Sequence, residues 1–262
     1  MPALRVPRRL AVALFALLAL MVAPAAAITD GVPDGNAHPH VGLVAFFDAD
    51  GVVTHRCSGT LLSPTVFLTA GHCTDGAASA RVWFDSYVVP SETGYPYFGG
   101  VTGRPFTHPN FVWSIPETSD VGVVVLDEEV YPGVYGVLPD LGTLDALATG
   151  RARNQTTFTV VGYGLQEVVP NFQADRERYQ SSVKLVELQS ALTDGSNIHV
   201  TNAPGTGGGL CFGDSDGPAF LNDSNVVVGV SSFVLNSYCK GAAYSYRTDI
   251  ANAQNFVAQF MQ

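Results

Sequence analysis

Short apolar runs separated by turn residues fill most of the chain after residue 40. β-Branched and aromatic residues dominate these runs, while Gly, Asp, Asn and Pro lie between them, a pattern that is typical of β-strands. The runs cover residues 41–47, 65–68, 82–89 and 121–126 in the first half, and residues 157–161, 183–188, 197–201, 219–221, 226–230 and 243–246 in the second. Because no long amphipathic helix interrupts them, the pattern predicts an all-β sandwich or barrel.

The end of the chain has a different pattern. Thr248 or Asp249 can cap a helix, and the apolar residues that follow recur at helical spacing: Ile250, Ala253, Phe256, Val257 and Phe260. This predicts a packing helix over residues 248–262. The polar stretch at residues 149–156 is the natural linker between the halves, so we expect one β domain over residues 28–148 and a second over residues 149–247.

The first 27 residues are predicted to be a secretory signal peptide. Three arginines within residues 5–9 precede an apolar run over residues 10–22. This run is shorter than the roughly 20 residues of a membrane span, and the small residues Ala25 and Ala27 favour cleavage after Ala27. We therefore expect a secreted protein, extracellular or periplasmic, without a stable membrane anchor after cleavage. An uncleaved anchor is the alternative.

Charge and composition narrow the possible partners. Cleavage would remove three of the 13 basic residues and leave 10 against 23 acidic ones, a net charge of −13. No basic cluster is present to bind phosphates, which argues against a nucleic-acid partner. With 47% hydrophobic and 14% charged residues, the chain has enough apolar material for a large core. We expect no metal and no cofactor, and we expect a monomer.

Four cysteines in a secreted chain indicate disulfides. Their number permits three pairings, which the sequence alone leaves open. The local choices are Cys57 with Cys73 and Cys211 with Cys239. A cysteine metal site is the alternative, but the chain has no C-x-x-C pair.

Three separate segments supply the residue types of a nucleophilic triad. A serine hydroxyl needs an imidazole to take its proton, and the imidazole needs a carboxylate to fix its tautomer. Ser215 lies in the segment CFGDSDGP, His72 lies in TAGHC, and Asp120 begins DVGVVVL. Each alone is weak evidence, but together they predict a serine nucleophile with its base.

On these motifs, the chain resembles the chymotrypsin-like, or trypsin-like, serine protease family. The segment CSGTLL through TAGHC is similar to the family's histidine segment with its flanking disulfide, DVGVVVL to its aspartate strand, and VGYG at residues 161–164 to its mid-chain glycine motif. The order His, Asp, Ser also agrees. The resemblance implies two six-stranded antiparallel Greek-key β-barrels followed by the C-terminal helix, with the triad at their junction, and protein or peptide substrates.

The resemblance also assigns supporting roles. It implies an oxyanion hole from the backbone N–H groups of Gly213 and Ser215, and it makes Ser232 the serine that supports the triad aspartate. It implies an activating ion pair between the amine of Ile28 and Asp214. Because Ile28 directly follows the predicted cleavage site, we hypothesise that signal cleavage itself exposes this amine.

The expected substrate pocket lies around residues 209–212 and 233–242. In the family that the chain resembles, cleavage after Lys or Arg requires a carboxylate six residues before the serine, where this chain has Gly209. The resemblance places Leu210 and Val234 in the pocket wall with Ala242 opposite, which predicts a shallow apolar pocket for small or medium aliphatic P1 residues. The remaining expected substrate contacts are Phe212 and Phe233, and Phe233 and Val234 form the edge along which substrate pairs as an added strand.

Asp216 departs from the family, which usually has glycine after the nucleophile. Three interpretations stay open. The side chain finds room and catalysis survives; its charge raises the pKa of the imidazole and moves the pH optimum upward; or the protein is a non-catalytic homologue. The expected activity is therefore that of a secreted serine endopeptidase, with a secreted binding protein and an esterase using the same triad as the alternatives.

Overall fold

The structure is a computed structural model that describes residues 31–164, 175–202, 209–211 and 216–261. Within these ranges the chain forms thirteen strands and five short helices. The strands are β1 Val32–Pro33, β2 Val41–Phe47, β3 Val53–Leu61, β4 Val66–Thr69, β5 Ser79–Trp83, β6 Val101–Thr107, β7 Gly122–Leu126, β8 Thr157–Gly162, β9 Tyr179–Glu187, β10 Asn197–Asn202, β11 Pro218–Leu221, β12 Val227–Val234 and β13 Gly241–Arg247. The helices are α1 Gly71–Thr74, α2 Pro90–Thr93, α3 Thr143–Leu147, α4 Gly150–Gln155 and α5 Ala251–Val257.

Strands β2 to β7 form the first barrel. Antiparallel pairing in the order β2-β3-β4-β7-β6-β5 closes the sheet on itself. Side chains alternate between the two faces of each strand, so every second residue fills the barrel interior. These interior residues include Val44, Phe46, Cys57, Leu61, Phe67, Val82, Val124 and Leu126.

Strands β8 to β13 form the second barrel. They pair in the order β9-β10-β13-β12-β11-β8, and the pairing of β8 with β9 closes the ring. The short strand β1 adds to the outside of β9, with Val32 opposite Gln180. The prediction of an all-β fold with two six-stranded antiparallel barrels and a C-terminal helix is confirmed.

One apolar cluster joins the two barrels. Side chains on the outer face of β2 pack with residues of the second barrel and of helix α5. Val41, Leu43 and Ala45 come from β2, whereas Tyr163 and Phe220 come from the second barrel, and all five are fully buried. The junction between the barrels is therefore a packed core, and residues that line its edge are held firmly.

Several predicted boundaries differ from the structure. Strand β5 ends at Trp83 rather than at residue 89, because the chain turns toward the second barrel, where Val88 N–H donates to the Arg176 carbonyl. Strands β3 and β6 had no predicted run. In β6 a glycine and a proline interrupt the apolar pattern, and proline weakens a strand signal. The predicted linker at residues 149–156 contains helix α4.

The C-terminal helix is shorter than predicted. It runs from Ala251 to Val257 with Ile250 at the N-cap, so neither Thr248 nor Asp249 caps it. The Asp249 carboxylate instead accepts hydrogen bonds from the Arg247 guanidinium and, at 2.7 Å, from the Leu144 backbone N–H. No helix in the described ranges is long and apolar enough to cross a membrane.

A buried histidine, His40, lies beside the barrel junction. It is 2% exposed, it packs against Phe220, and neither ring nitrogen has a hydrogen-bond partner in the described part of the chain. Burial, followed by the charges of His38 and Arg178, lowers the pKa of His40 to about 4 and outweighs the opposing charge of Asp34. His40 is therefore neutral in the folded protein at neutral pH.

We expect His40 to make the fold sensitive to acid. Between about pH 6.5 and 4 the unfolded chain protonates this histidine and the folded chain does not, so stability falls as pH falls through that window. The shift corresponds to about 3 kcal/mol at pH 4. Urea unfolding of wild type and His40→Phe at pH 7 and pH 4 measures it. On acidification the free energy of unfolding of His40→Phe should fall by about 3 kcal/mol less than that of wild type. The control His199→Gln should lose as much stability as wild type.

Candidate active site

His72 stands on helix α1 at the edge of the first barrel. The helix follows β4 directly, and Gly71 lets it approach the neighbouring segments, because a Cβ there would lie 3.0 Å from the Phe111 ring and 3.1 Å from the Val121 nitrogen. The side chain of His72 is 16% exposed, so one edge of the ring is open to solvent. It is thus held on a rigid element while remaining accessible.

Asp120 orients His72 from the segment before β7. It is 1% exposed. Its Oδ1 accepts a hydrogen bond of 2.8 Å from the His72 backbone N–H, and its Oδ2 lies 2.9 Å from Nδ1 of the same residue. Because Nδ1 faces a carboxylate, this nitrogen carries the proton, and Nε2 faces away from Asp120. This is the histidine–aspartate arrangement that general-base catalysis requires.

Ser232 adds a third contact to this carboxylate from the second barrel. Its hydroxyl donates to Asp120 Oδ2 at 2.5 Å. The pairing register of β12 with β13 shifts between Ser231 and Phe233, and such bulges re-aim side chains. The two predicted residues Asp120 and Ser232 are thus brought together across the barrel junction.

Asp216 approaches His72 from the opposite side. Its Oδ1 lies 3.0 Å from His72 Nε2, and its side chain is fully buried. Its Oδ2 lies 2.6 Å from Cys73 Sγ, but that sulfur is in a disulfide and has no hydrogen to donate. The backbone φ of Asp216 is +84°, in the region that favours glycine. The imidazole therefore has a carboxylate on each side.

The two carboxylates set the proton affinity of His72. Burial, the largest influence, lowers its pKa, but the charge of Asp216, followed by the hydrogen bond and charge of Asp120, raises it to about 9. Burial raises the pKa of Asp216 well above its ordinary value, although the charge of His72 opposes this. The charge of Asp216 acts on His72 only while this carboxylate is ionised, so the two groups stabilise each other as an ion pair, and in that pair the imidazole is largely protonated at neutral pH.

Trp113 lies against the open side of the histidine, and the sequence analysis did not select it. Its ring centroid is 5.1 Å from that of His72, and it is 71% exposed. It belongs to the segment between β6 and β7, where Phe111 packs against it edge to face. The sequence offered one signal for this residue, a tryptophan in a turn-rich segment shortly before Asp120.

The predicted pocket floor is described in part. Gly209 is buried, and a Cβ at this position would fall 1.4 Å from the Asn202 amide oxygen. Asn202 is held there by hydrogen bonds of 2.9 Å from its amide nitrogen to the Leu210 and Cys239 carbonyls. The sequence analysis missed Asn202. Its amide fills the space in which a side chain at position 209 would begin.

Leu210, a predicted wall residue, is 4% exposed and packs with the core of the second barrel. Its place in the pocket wall stays a prediction. Val234 and Ala242 are partly exposed, and Phe233 stacks on Tyr244 with ring centroids 4.6 Å apart.

Both predicted disulfides are present. Cys57 pairs with Cys73 beside His72, and Cys211 pairs with Cys239 in the second barrel. Two clusters of possible metal ligands occur among the described residues, and each includes Cys73. Because that sulfur is in a disulfide, it is not the thiolate that binds metals.

The other predicted site residues lie outside the described ranges. They are Ile28 at the proposed N-terminus and the residues that immediately precede Asp216, namely Phe212, Gly213, Asp214 and Ser215. The nucleophile, the oxyanion hole and the activating ion pair therefore stay predictions from sequence.

Comparisons with known proteins agree with this architecture. The protein-family model described as Trypsin matches residues 31–257. Chymotrypsin-like elastase family member 1 of Bos taurus is 28% identical over 197 residues, which cover 71% of this chain and 70% of the relative. Collagenase of Hypoderma lineatum is 25% identical over 198 residues, 70% of this chain and 68% of the relative.

Solved structures share the fold. The HL collagenase structure has a TM-score of 0.67 and 21% identity, and the match covers 89% of this chain and 98% of that one. The scabies mite inactivated protease paralogue S-D1 has a TM-score of 0.65 and 16% identity, over 89% of this chain and 97% of that one.

Proposed function

The chain belongs to the trypsin family of serine proteases, and from this premise we propose that it is a secreted serine endopeptidase. One observation carries the proposal. Asp120 accepts the His72 backbone N–H at 2.8 Å and faces Nδ1 at 2.9 Å, while the Ser232 hydroxyl supports it. Such an arrangement has little use in a purely structural role, because it fixes the ring of a partly exposed histidine with Nε2 turned away from Asp120.

In the proposed reaction His72 acts as general base and then as general acid. Ser215 attacks the scissile carbonyl, His72 takes its proton at Nε2, and an acyl-enzyme forms when the proton passes to the leaving amine. Water then attacks the acyl-enzyme by the same proton transfers in reverse. Backbone N–H groups of Gly213 and Ser215 are proposed to stabilise the oxyanion.

Activation is proposed to follow from secretion. Cleavage of residues 1–27 would release the amine of Ile28, which would then pair with Asp214. Sequencing the N-terminus of the secreted protein tests this step. A mature chain that starts anywhere other than at Ile28 would contradict it.

We propose a preference for small or medium aliphatic P1 residues. Position 209 offers no carboxylate for Lys or Arg, and the Asn202 amide fills the space in which a side chain there would begin. One methylene contributes only about 1–3 kcal/mol of discrimination, so the preference is expected to be broad. Digestion of a peptide library tests it and also separates a protease from an esterase. Dominant cleavage after Arg would refute the assignment of Gly209 to the pocket floor.

A second candidate is a secreted binding protein on a protease fold. The contact that favours it is Asp216 at 3.0 Å from Nε2, the nitrogen that the reaction requires. The esterase alternative uses the same triad and differs only in substrate. The proposal of an endopeptidase is preferred because His72 and Asp120 keep the geometry of a working pair.

Labelling by a fluorophosphonate probe decides between catalysis and binding. We expect the wild-type protein to be labelled at pH 9 and Ser215→Ala to remain unlabelled, because only an activated serine attacks the probe. Ser224→Ala is the matched control, since Ser224 is exposed in the turn after β11, and it should label like wild type. Absence of labelling in folded wild-type protein over the whole range from pH 7 to 10 would support the binding protein.

A further inference from the structure

The carboxylate of Asp216 has a specific environment. It is fully buried, and His72 is the cation that faces it among the described residues. A buried charge needs a paired partner, because the desolvation cost otherwise amounts to several kcal/mol. The imidazolium form of His72 supplies that partner. The contact is therefore part of the resting state of the protein.

The geometry of the contact indicates action through charge. Asp216 Oδ1 is 3.0 Å from His72 Nε2, yet no donor among the described residues is aligned with it as a hydrogen bond. The N–H direction of Nε2 is thus not aimed at Asp216. An approaching hydroxyl can still align with this nitrogen, while the negative charge beside it favours the imidazolium.

The backbone of Asp216 has a conformation that is unfavourable for a residue with a side chain. Asp216 adopts a φ of +84°, and its N–H donates to the Ser231 carbonyl at 2.7 Å. A residue with a side chain is disfavoured at positive φ, whereas glycine adopts it freely. The chain thus accepts both backbone strain and a buried carboxylate at one position in direct contact with the catalytic base.

We propose that Asp216 is a positioning residue that holds a proton on His72 at neutral pH and restricts peptide hydrolysis to alkaline conditions. The inference rests on the proposed function, because a proton on His72 matters only if this residue is the base. Two charged groups act on the imidazole in the described part of the chain: Asp120 from the segment before β7 and Asp216 from the turn before β11. The Trp113 ring, the third neighbour, carries no charge.

The same charge acts in the opposite direction above the pKa of His72. When Ser215 gives its proton to His72, an imidazolium forms, and Asp216 stabilises it as it stabilises the resting imidazolium. A base with a higher pKa is also stronger once it is neutral. We therefore expect the pH profiles of wild type and of variants without the charge to cross, with wild type slower at neutral pH and faster in alkali.

Titration of the His72 ring by NMR tests the contact without relying on catalysis. The experiment uses the full secreted chain with Ser215→Ala, alone and combined with Asp216→Asn or Asp216→Gly. With Asp216 present we expect a pKa of about 9, and with either variant a value lower by more than one unit. The control Asp75→Asn removes an exposed carboxylate three residues from His72 and should leave the pKa unchanged. An unchanged pKa in Asp216→Asn would overturn the proposal.

The kinetic test uses the same variants with Ser215 intact. At pH 7 a base with a pKa of about 9 is about 1% neutral, and each unit by which a variant lowers this pKa raises the neutral fraction about tenfold, so kcat/KM should rise by about tenfold or more in Asp216→Gly and Asp216→Asn. Above pH 9.5 the wild-type protein should have a higher kcat/KM than either variant. Rescue by asparagine as well as glycine separates charge from side-chain volume. A wild-type profile that is already flat at pH 7 would overturn the proposal, whereas a shifted His72 pKa without hydrolysis in any variant would support the contact and refute the endopeptidase.

Discussion

Asp120→Asn is expected to lower kcat by about four orders of magnitude at pH 8, or about 5 kcal/mol of transition-state stabilisation. The reason lies in how the two oxygens are used. Oδ1 accepts the His72 backbone N–H, whereas Oδ2 faces Nδ1 and the Ser232 hydroxyl. An asparagine that keeps the first contact must turn its NH2 group toward Nδ1. Nδ1 then becomes an acceptor, Nε2 carries the proton, and the imidazole cannot accept one from Ser215.

The comparison requires variants that keep the fold. Asparagine has the volume of aspartate, so thermal unfolding of Asp120→Asn should show an intact protein. Ser232→Ala removes one hydrogen bond to the same carboxylate and should cost about tenfold, since a hydrogen bond to a charged group contributes about 1.5–3 kcal/mol. Asp75→Asn should have no effect. If kcat of Asp120→Asn stays within tenfold of wild type, Asp120 is not the carboxylate that fixes the tautomer.

The parts of the site that the sequence predicted are those carried by local motifs. His72 and Asp120 lie in short segments whose neighbours form a helix turn and a strand start, so their partners follow once the fold is known. The short strands alone predicted only a sandwich or a barrel, and the two six-stranded barrels were what the resemblance to the protease family implied. Strands β3 and β6 were missed where charged residues, glycine or proline interrupt the apolar pattern.

The parts that the sequence did not determine depend on contacts between distant segments. The sequence left three interpretations of Asp216 open, and only the fold places its carboxylate beside His72 Nε2. Cys73, the other neighbour of this carboxylate, precedes Asp216 by 143 positions. Asn202 occupies the space beside Gly209 because β10 ends there, which no local pattern indicates. The packing of Leu210 with the core of the second barrel was likewise not indicated by the residues next to it.

A buried ion pair at the start of the described chain was likewise invisible in the sequence. Arg178 is fully buried, and its Nε donates to Asp34 Oδ2 at 2.8 Å. Its other guanidinium nitrogens donate to a hydroxyl, a side-chain amide and three backbone carbonyls: Tyr163, Asn36, Val41, Phe84 and Gly35. Arg178 precedes β9, with which β1 pairs. The residue therefore holds the segment before β2 to both barrels.

Arg178→Met is expected to destabilise the protein by about 3–5 kcal/mol, because the buried Asp34 carboxylate loses its guanidinium partner and keeps only its contacts with His38, while several buried carbonyls lose their donor. Burial alone raises the pKa of Asp34, but hydrogen bonds from His38 and Arg178 outweigh it and hold the pKa below its ordinary value. The stabilisation by this carboxylate is thus present above its unfolded pKa and is lost as pH falls through the lower folded value. Urea unfolding at pH 7 measures the effect.

Two variants identify the ion pair as the cause. Arg176→Met removes a partly buried arginine two residues away, which donates to the Val88 carbonyl at 3.1 Å and lies over the Tyr95 ring, and it should cost about 1 kcal/mol or less. The double variant Asp34→Asn with Arg178→Met removes the buried charge that the single variant leaves without its guanidinium partner, so it should recover part of the lost stability. The ion pair is not the cause if the free energy of unfolding of Arg178→Met lies within 1 kcal/mol of the wild-type value, or if the double variant is no more stable than the single one. Recovery in the double variant would instead show that Arg178→Met loses stability because Asp34 is buried without its guanidinium partner. The same physical constraint, a buried carboxylate that needs a cation, is proposed to keep a proton on His72 beside Asp216.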